Sequence, residues 1–247
     1  MTHARESAAK AALPVAEERA LASLTSTERT DRTVDWWIGM ARGTEKTRVT
    51  LAWAPRPVPP APAGPPPVAI TITATSKGGE EYYNGTIDSA SLATFEAPAG
   101  ELVLKAVVKS AAGETIDGDS RKIVVPSLAG DLVTIGTPVI LRARTAIDTR
   151  RILSGEDTRP TIPREFDRTD RLFIRFPVYG SNVGAPDVQL LNRLGNSRLA
   201  LPIAKRDDGT YQIDLPLASI AKGDYMIAIE AKQGEVAAKT LVPIRVR

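Results

Sequence analysis

"PAGELVLKAVVKS" (residues 98–110) and "AKGDYMIAIEAKQ" (residues 221–233) are two versions of one pattern. In each, a glycine is followed by an acid and then by apolar residues at alternate positions, before a turn and a second apolar run. A period of two is what a strand with one face on a core requires, because successive side chains point to opposite faces of a sheet. A hairpin written twice, the length of a small domain apart, predicts two consecutive domains of one kind.

Working outward from the first copy, every strong signal is a short strand. "VDWWIGMA" carries Val34, Trp36, Ile38 and Met40 on one face, and "TRVTLAWA" carries Val49, Leu51 and Trp53, with Gly43 in the turn between. "VAITITA" follows, then "EYYNGTI" with a turn expected at Asn84-Gly85, then "LATFEAPAG" and the quoted hairpin, with loop expected over "SAAGETIDGDS". The pattern restarts with "TPVILRART" (137–145) and continues through "DRLFIRFPVYG", a hairpin around Gly195-Asn196, "TYQIDLPLA" and the second quoted copy. Short alternating segments separated by turns predict an all-β fold of two tandem immunoglobulin-like β-sandwiches.

Two stretches depart from this. Residues 6–24 are rich in Ala, Glu and Leu, and Pro14 suits the start of a helix from about Val15 to Leu24. Residues 54–67 hold eight prolines in fourteen positions, which predicts a stiff extended crossover, with Pro57 and Pro60 at the spacing of an adaptor-domain ligand. The domains are therefore expected at 1–32 (helical or linker segment), 33–138 (first sandwich, with the crossover) and 139–247 (second sandwich). The polar, aperiodic run from Ala146 to Pro163 is expected to be a loop or a cover over the second sandwich.

Composition narrows the chemistry. The 247 residues are 43% hydrophobic and 25% charged, ordinary for a soluble globular protein, while aromatics at 5% leave the core to aliphatic side chains. There is no cysteine, so disulfides, thiolate nucleophiles and thiolate metal sites are excluded together. The single histidine, His3, lies at the terminus, which leaves no basis for a catalytic triad or a histidine metal site. No nucleophile elbow and no Gly-rich phosphate loop occurs, so no enzyme and no cofactor is expected. No apolar stretch has the length of a membrane span, and the first twenty residues lack a signal-peptide core.

The net charge of +3 is concentrated between Arg142 and Arg175, where nine arginines and no lysine face six acids. Such a span is expected to be a surface of arginine–acid pairs rather than a nucleic-acid site, which would interleave its cations with aromatics. Planar guanidinium donors also suit carboxylates on a partner. Arg168, Arg171 and Arg175 are the candidate partner-binding residues, joined by Trp37, which the two-residue period turns away from the core side taken by Trp36. The pairs Asp117/Asp119 and Asp207/Asp208, and the cluster Glu165, Asp167 and Asp170, offer too few carboxylates for calcium and are expected in turns or arginine pairs. Gly100 and Gly223 are expected to supply tight or left-handed turns rather than a site.

Four phrases carry a resemblance: "WWIGMARGTEKTRVTLAWAP", "IVVPSLAGDLVTIGTPVILRART", "REFDRTDRLFIRFPVYG" and "YQIDLPLASIAKGDYMIAIEA". Over about residues 33–247 the chain resembles the C-terminal region of bacterial proteins related to von Willebrand factor type A. The adhesion-site pattern of that A domain, Asp-x-Ser-x-Ser, is absent: Asp88-Ser89-Ala90-Ser91 has alanine where the first serine is required. The metal site is thus carried over to no residue here. The resemblance implies an exported or envelope protein whose tail is built of immunoglobulin-like modules.

The function expected is a non-enzymatic structural or protein-interaction module of an envelope or secreted protein. Its partner would be another protein or an upstream domain of the same polypeptide, with no nucleic acid and no membrane span. The alternative is a carbohydrate-binding accessory module, with Trp37 as its stacking ring, and behind it a hydrolase.

Overall fold

The structure, a computed structural model, describes Ala20 and residues 32–56 and 64–247. His3, most of the helix predicted at Val15–Leu24, and Pro57 and Pro60 of the crossover lie outside the described residues.

The first sandwich is made of β1 (Val34–Arg42), β2 (Thr47–Pro55), β3 (Ala69–Ser76), β4 (Glu81–Asp88), β5 (Ala93–Ala97), β6 (Gly100–Lys109) and β7 (Thr115–Val125). They form a three-stranded sheet, β1-β2-β5, facing a four-stranded one, β4-β3-β6-β7. The proline-rich run joins β2 to β3 and so carries the chain from one sheet to the other. Val34, Val49, Leu51 and Trp53 interlock with Ile70, Ile72, Leu102 and Leu104 to fill the space between the sheets. These are the alternating residues of the sequence pattern, and burying each aliphatic side chain stabilises the fold by about 1.5–3 kcal/mol before entropy is counted.

The second sandwich comprises β8 (Thr134–Ile135), β9 (Val139–Ala143), helix α1 (Ala146–Ser154), β10 (Glu165–Phe166), β11 (Arg171–Phe176), β12 (Val178–Tyr179), β13 (Asp187–Asn192), β14 (Ser197–Ala200), β15 (Ile203–Lys205), β16 (Tyr211–Pro216), β17 (Gly223–Gln233) and β18 (Val236–Val246). Sheets β15-β16-β11-β9 and β10-β18-β17-β13-β14 enclose a core built on Ile140, Phe166, Leu172, Ile174, Phe176, Ile227 and Ile244. Its first strand is split: β9 pairs with β11 in one sheet, and β10 pairs parallel with β18 in the other. Strand β8 and β12 form a separate two-stranded ribbon.

The repeated hairpin takes the same place in both sandwiches. Strand β6 pairs with β7 from Gly100↔Val125 onward, and β17 pairs with β18 from Gly223↔Val246. Both glycines have positive φ, +140° and +153°, a conformation that a side chain would strain.

Three expectations are corrected. Asn84-Gly85 is not a turn but lies inside β4, paired with Thr73 and Ile72. The turn sits earlier, where Gly79 (φ 90°) donates to the Ser76 carbonyl. Asp117 and Asp119 are in β7 rather than a loop. Asp117 accepts from the amide and hydroxyl of Thr33, and Asp119 pairs with Arg121 at 2.8 Å. Third, the run after Arg144, expected as a loop or a cover, is a cover that contains helix α1, where no helix was expected. Thr145 caps it, accepting from the Asp148 amide, while the Asp148 carboxylate accepts from the amides of Arg144 and Thr145. Gly155 ends it with φ 82°.

Helix α1 lies over the outer face of sheet β15-β16-β11-β9, where its Ile152 is buried with Leu141, Ala143 and Phe173. The outer face of the other sheet is also apolar at Leu191, Met226 and Ala228, with Ala20 packed against them. Among the described residues no helix is long and apolar enough to cross a membrane.

Candidate interaction site

The two sandwiches meet through short-range contacts that follow from the ends of their strands. Met40, near the end of β1, donates its amide to the Thr137 hydroxyl at 2.9 Å and accepts from the Thr137 amide at 2.8 Å. Arg42, two residues on, clamps the connecting segment. Its Nε donates to the Leu128 carbonyl at 2.7 Å and its Nη2 to the Gly130 carbonyl at 3.0 Å, and its guanidinium lies 4.6 Å from the Tyr179 ring centre. From the other side, Gln233 in the β17–β18 hairpin accepts from the Val133 amide and donates to the carbonyls of Asp131 and Ser181. A segment whose carbonyls and amides are held by both domains cannot act as a free hinge without breaking those bonds.

Trp37 belongs to this junction. It is only 8% exposed, packed on Ala52 and on Ile162 from the run that follows α1. The ring expected to be exposed or covered by the N-terminal segment is covered here by Ile162 of the second sandwich. Its indole lies along β1 over Gly39, where an added Cβ would stand 2.1 Å from Trp37 Cη2. Only glycine permits that approach. Arg159 completes the contact by donating to the Trp53 carbonyl at 3.1 Å. Trp36, on the core side as expected, packs on the first core under the Arg121 guanidinium.

The three candidate arginines are engaged within the fold. Arg168 donates to the Ala218 carbonyl at 2.6 Å. Arg171 grips Asp214 on neighbouring β16 with two parallel bonds of 2.6 and 2.5 Å. Arg175 donates to Gln212 at 2.8 Å and to the Ile152 carbonyl at the end of α1, so it holds the helix C-terminus. Burial, and then the charge of Arg206, push the Arg175 pKa down. Arg142 pairs with Asp170 at 2.6 Å, a carboxylate only 3% exposed. Asp208 accepts from the amide and hydroxyl of Thr210 in a turn that Gly209 closes at φ 80°. Among the described residues no group of three or more potential metal ligands gathers.

A groove with unspent groups lies elsewhere on the second sandwich, below the β13–β14 hairpin, with a volume of about 600 Å³. Strand β14 is the outermost strand of its sheet and is exposed along its whole length. Leu194 and Leu199 present their side chains 45% and 46% exposed. Arg193, Arg198 and Lys222 line the groove, as does Asp224, whose carboxylate is already held by Arg245 at 2.6 Å. Among the described residues, the groove therefore offers apolar surface, positive charge without an ion-pair partner and one backbone edge to which no strand is paired. Nothing in the strand pattern distinguishes this hairpin from the others. The run Arg193-Leu194 through Arg198-Leu199 was the available signal, with cations beside leucines at a turn.

No family model matches the chain, and no curated protein matches it. Solved structures do. The fibronectin(III)-like modules of Clostridium thermocellum CbhA are 15% identical, with 82% of this chain and 86% of that one covered at a TM-score of 0.25. A two-domain fibronectin type III segment of chicken tenascin is 12% identical, with 86% and 99% covered at 0.26. The Bacteroides ovatus mixed-linkage glucan protein SGBP-B, solved with a heptasaccharide, is 18% identical, with 86% and 47% covered at 0.23. The assignment to tandem immunoglobulin-like sandwiches stands on the strand order given above.

Proposed function

We propose that the chain is a non-enzymatic module in which two docked sandwiches present the β14 edge to a protein partner. The observation that carries this is the groove itself, an edge strand whose outer side pairs with no strand among the described residues, flanked by Leu194, Leu199, Arg193, Arg198 and Lys222. An exposed edge offers backbone donors and acceptors to an added strand, and side-chain pockets beside it give selectivity. The cations favour an acidic, extended segment and would speed its encounter. The resemblance to envelope proteins supports an upstream domain of the same polypeptide, or another exported protein, as the source of that segment. Arg168, Arg171 and Arg175 serve the fold in this reading, because each already has an internal acceptor. The carbohydrate alternative loses its stacking ring with the burial of Trp37.

The test is hydrogen exchange with a synthetic extended peptide of alternating Glu and Val. Amides of Ser197–Ala200 should gain protection, and Arg193→Glu with Arg198→Glu should remove the gain while leaving the melting temperature unchanged. Protection that appears elsewhere, or that a Lys–Val peptide produces equally well, would overturn the β14 assignment.

A further inference from the structure

The cationic span contains a guanidinium, that of Arg164, with a solvent-shielded nitrogen and no acid partner among the described residues. Arg164 directly precedes β10, and its carbonyl accepts from the Arg245 amide at 2.8 Å. Its side chain differs from its neighbours in the span. Nη1 is shut off from solvent and has no hydrogen-bond partner among the described residues. Glu165, the adjacent acid, is engaged by Arg245 and Arg247 instead. Burial pushes the Arg164 pKa down to about 10, with no carboxylate acting to raise it. The group is still a cation at neutral pH. A guanidinium with one nitrogen shut off from water and no counter-ion is penalised in the folded state, so an anion that reaches it gains what the fold lacks.

There is room for one. Arg164 forms part of a cleft of about 190 Å³ between the connecting segment at 135–138 and residues Thr240–Pro243 of β18. Ile135, Pro138, Val242 and Pro243 give it apolar walls, and Thr240 supplies a hydroxyl. Strand β10 pairs with β18 only at Arg245 and Val246, and ahead of them the short strand β8 lies beside β18 without pairing to it.

We propose that Arg164 is the receptor for a carboxylate, carried by a peptide, that enters this cleft. The match is one of charge and shape. A guanidinium offers two parallel donors to the two oxygens of a carboxylate. One negative charge neutralises one cation, whereas a phosphate dianion would leave a surplus charge between apolar walls. The site lies on the opposite edge of the five-stranded sheet from the β14 groove and stands or falls independently of it.

The carboxylate could be a peptide C-terminus or an acidic side chain, and the probes separate these. The titrants are acetate, N-acetyl-Ala-Val-Ala with a free C-terminus, the same peptide as its amide, and N-acetyl-Ala-Glu-Ala-amide, with chloride and inorganic phosphate as controls. The readout is the ¹⁵N–¹H signal of the Arg164 Nε in the full chain. Saturable shifts are expected with acetate and with at least one peptide bearing a carboxylate, together with a rise in melting temperature that follows ligand concentration. The amide peptide lacking Glu should do neither. Arg164→Met keeps the volume and removes the charge, and it should lose the carboxylate-dependent rise while melting higher than the parent in chloride alone. An Arg164 signal that carboxylates leave unmoved would overturn the proposal. So would a carboxylate-dependent rise that persists in Arg164→Met, or a phosphate effect equal to that of acetate.

Discussion

Strand β2 in the first sandwich and strand β11 in the second hold the same position, each between the first strand of its sheet and a later strand of the same domain. Their inward faces match: Val49, Leu51 and Trp53 in one, Leu172, Ile174 and Phe176 in the other. Their outward faces do not. In β2 the central outward residue is Thr50, partly exposed beside Thr94 on the neighbouring strand. In β11 it is Phe173, fully buried with Leu141, Ala143 and Ile152. The difference is the insertion between β9 and β10, which carries α1 across the second sandwich and then sends Ile162 to cover Trp37 of the first. An outer sheet face becomes core when the chain supplies a cover, and here the same cover also joins the two domains.

The largest test of this comparison replaces the two outward residues. Phe173→Ala should cost about 3–5 kcal/mol, as expected for a buried aromatic ring. Thr50→Ala at the matching position should cost no more than about 0.5 kcal/mol, the usual range for a surface change. Denaturant titration of both variants reads this directly. Equal losses would mean that α1 adds no core to the second sandwich.

A smaller effect isolates the helix. Thr145→Ala removes the N-cap and should cost about 1 kcal/mol. The cap is also sensitive to pH. The Arg144 amide first, then the hydroxyl and amide of Thr145, hold the Asp148 pKa below its ordinary value. A carboxyl with a lowered folded pKa stabilises the folded state above its unfolded value. That contribution is lost as pH falls through the folded pKa, that is, below about 4. The protection factors of residues 146–154, measured relative to intrinsic exchange at each pH, should therefore fall on acidification, and Asp148→Asn should flatten that dependence. An Asp148→Asn helix with the parent's pH profile would show that the cap is not the cause.

The repeated hairpin was legible because it is local: Gly100 and Gly223 announce it, and the alternation that follows is complete within each strand. The crossover between sheets was equally plain in its prolines. Helix α1 was obscured because a single buried residue, Ile152, cannot establish a period, although the Thr145-x-x-Asp148 box stood in the sequence as a start signal. Asn84-Gly85 misled because its dipeptide favours a turn while Tyr83, stacked on Phe95, fixes that strand in the sheet. The candidate site was the least legible part. Arg168, Arg171 and Arg175 meet Ala218, Asp214 and Ile152, and Trp37 meets Ile162, all partners distant in sequence. What separates Arg164 from these arginines is the lack of such a partner, a property that exists only in three dimensions.

That the two sandwiches are fixed to each other can be measured without background, because the chain has no cysteine. Spin labels at Lys105→Cys in β6 and Lys205→Cys in β15, both exposed strand positions, report the distance between the domains by pulsed electron paramagnetic resonance. The expected result is one narrow distance distribution, which broadens when Arg42→Ala removes the contacts to the Leu128 and Gly130 carbonyls. A broad distribution in the parent chain, unchanged by Arg42→Ala, would contradict the docked arrangement.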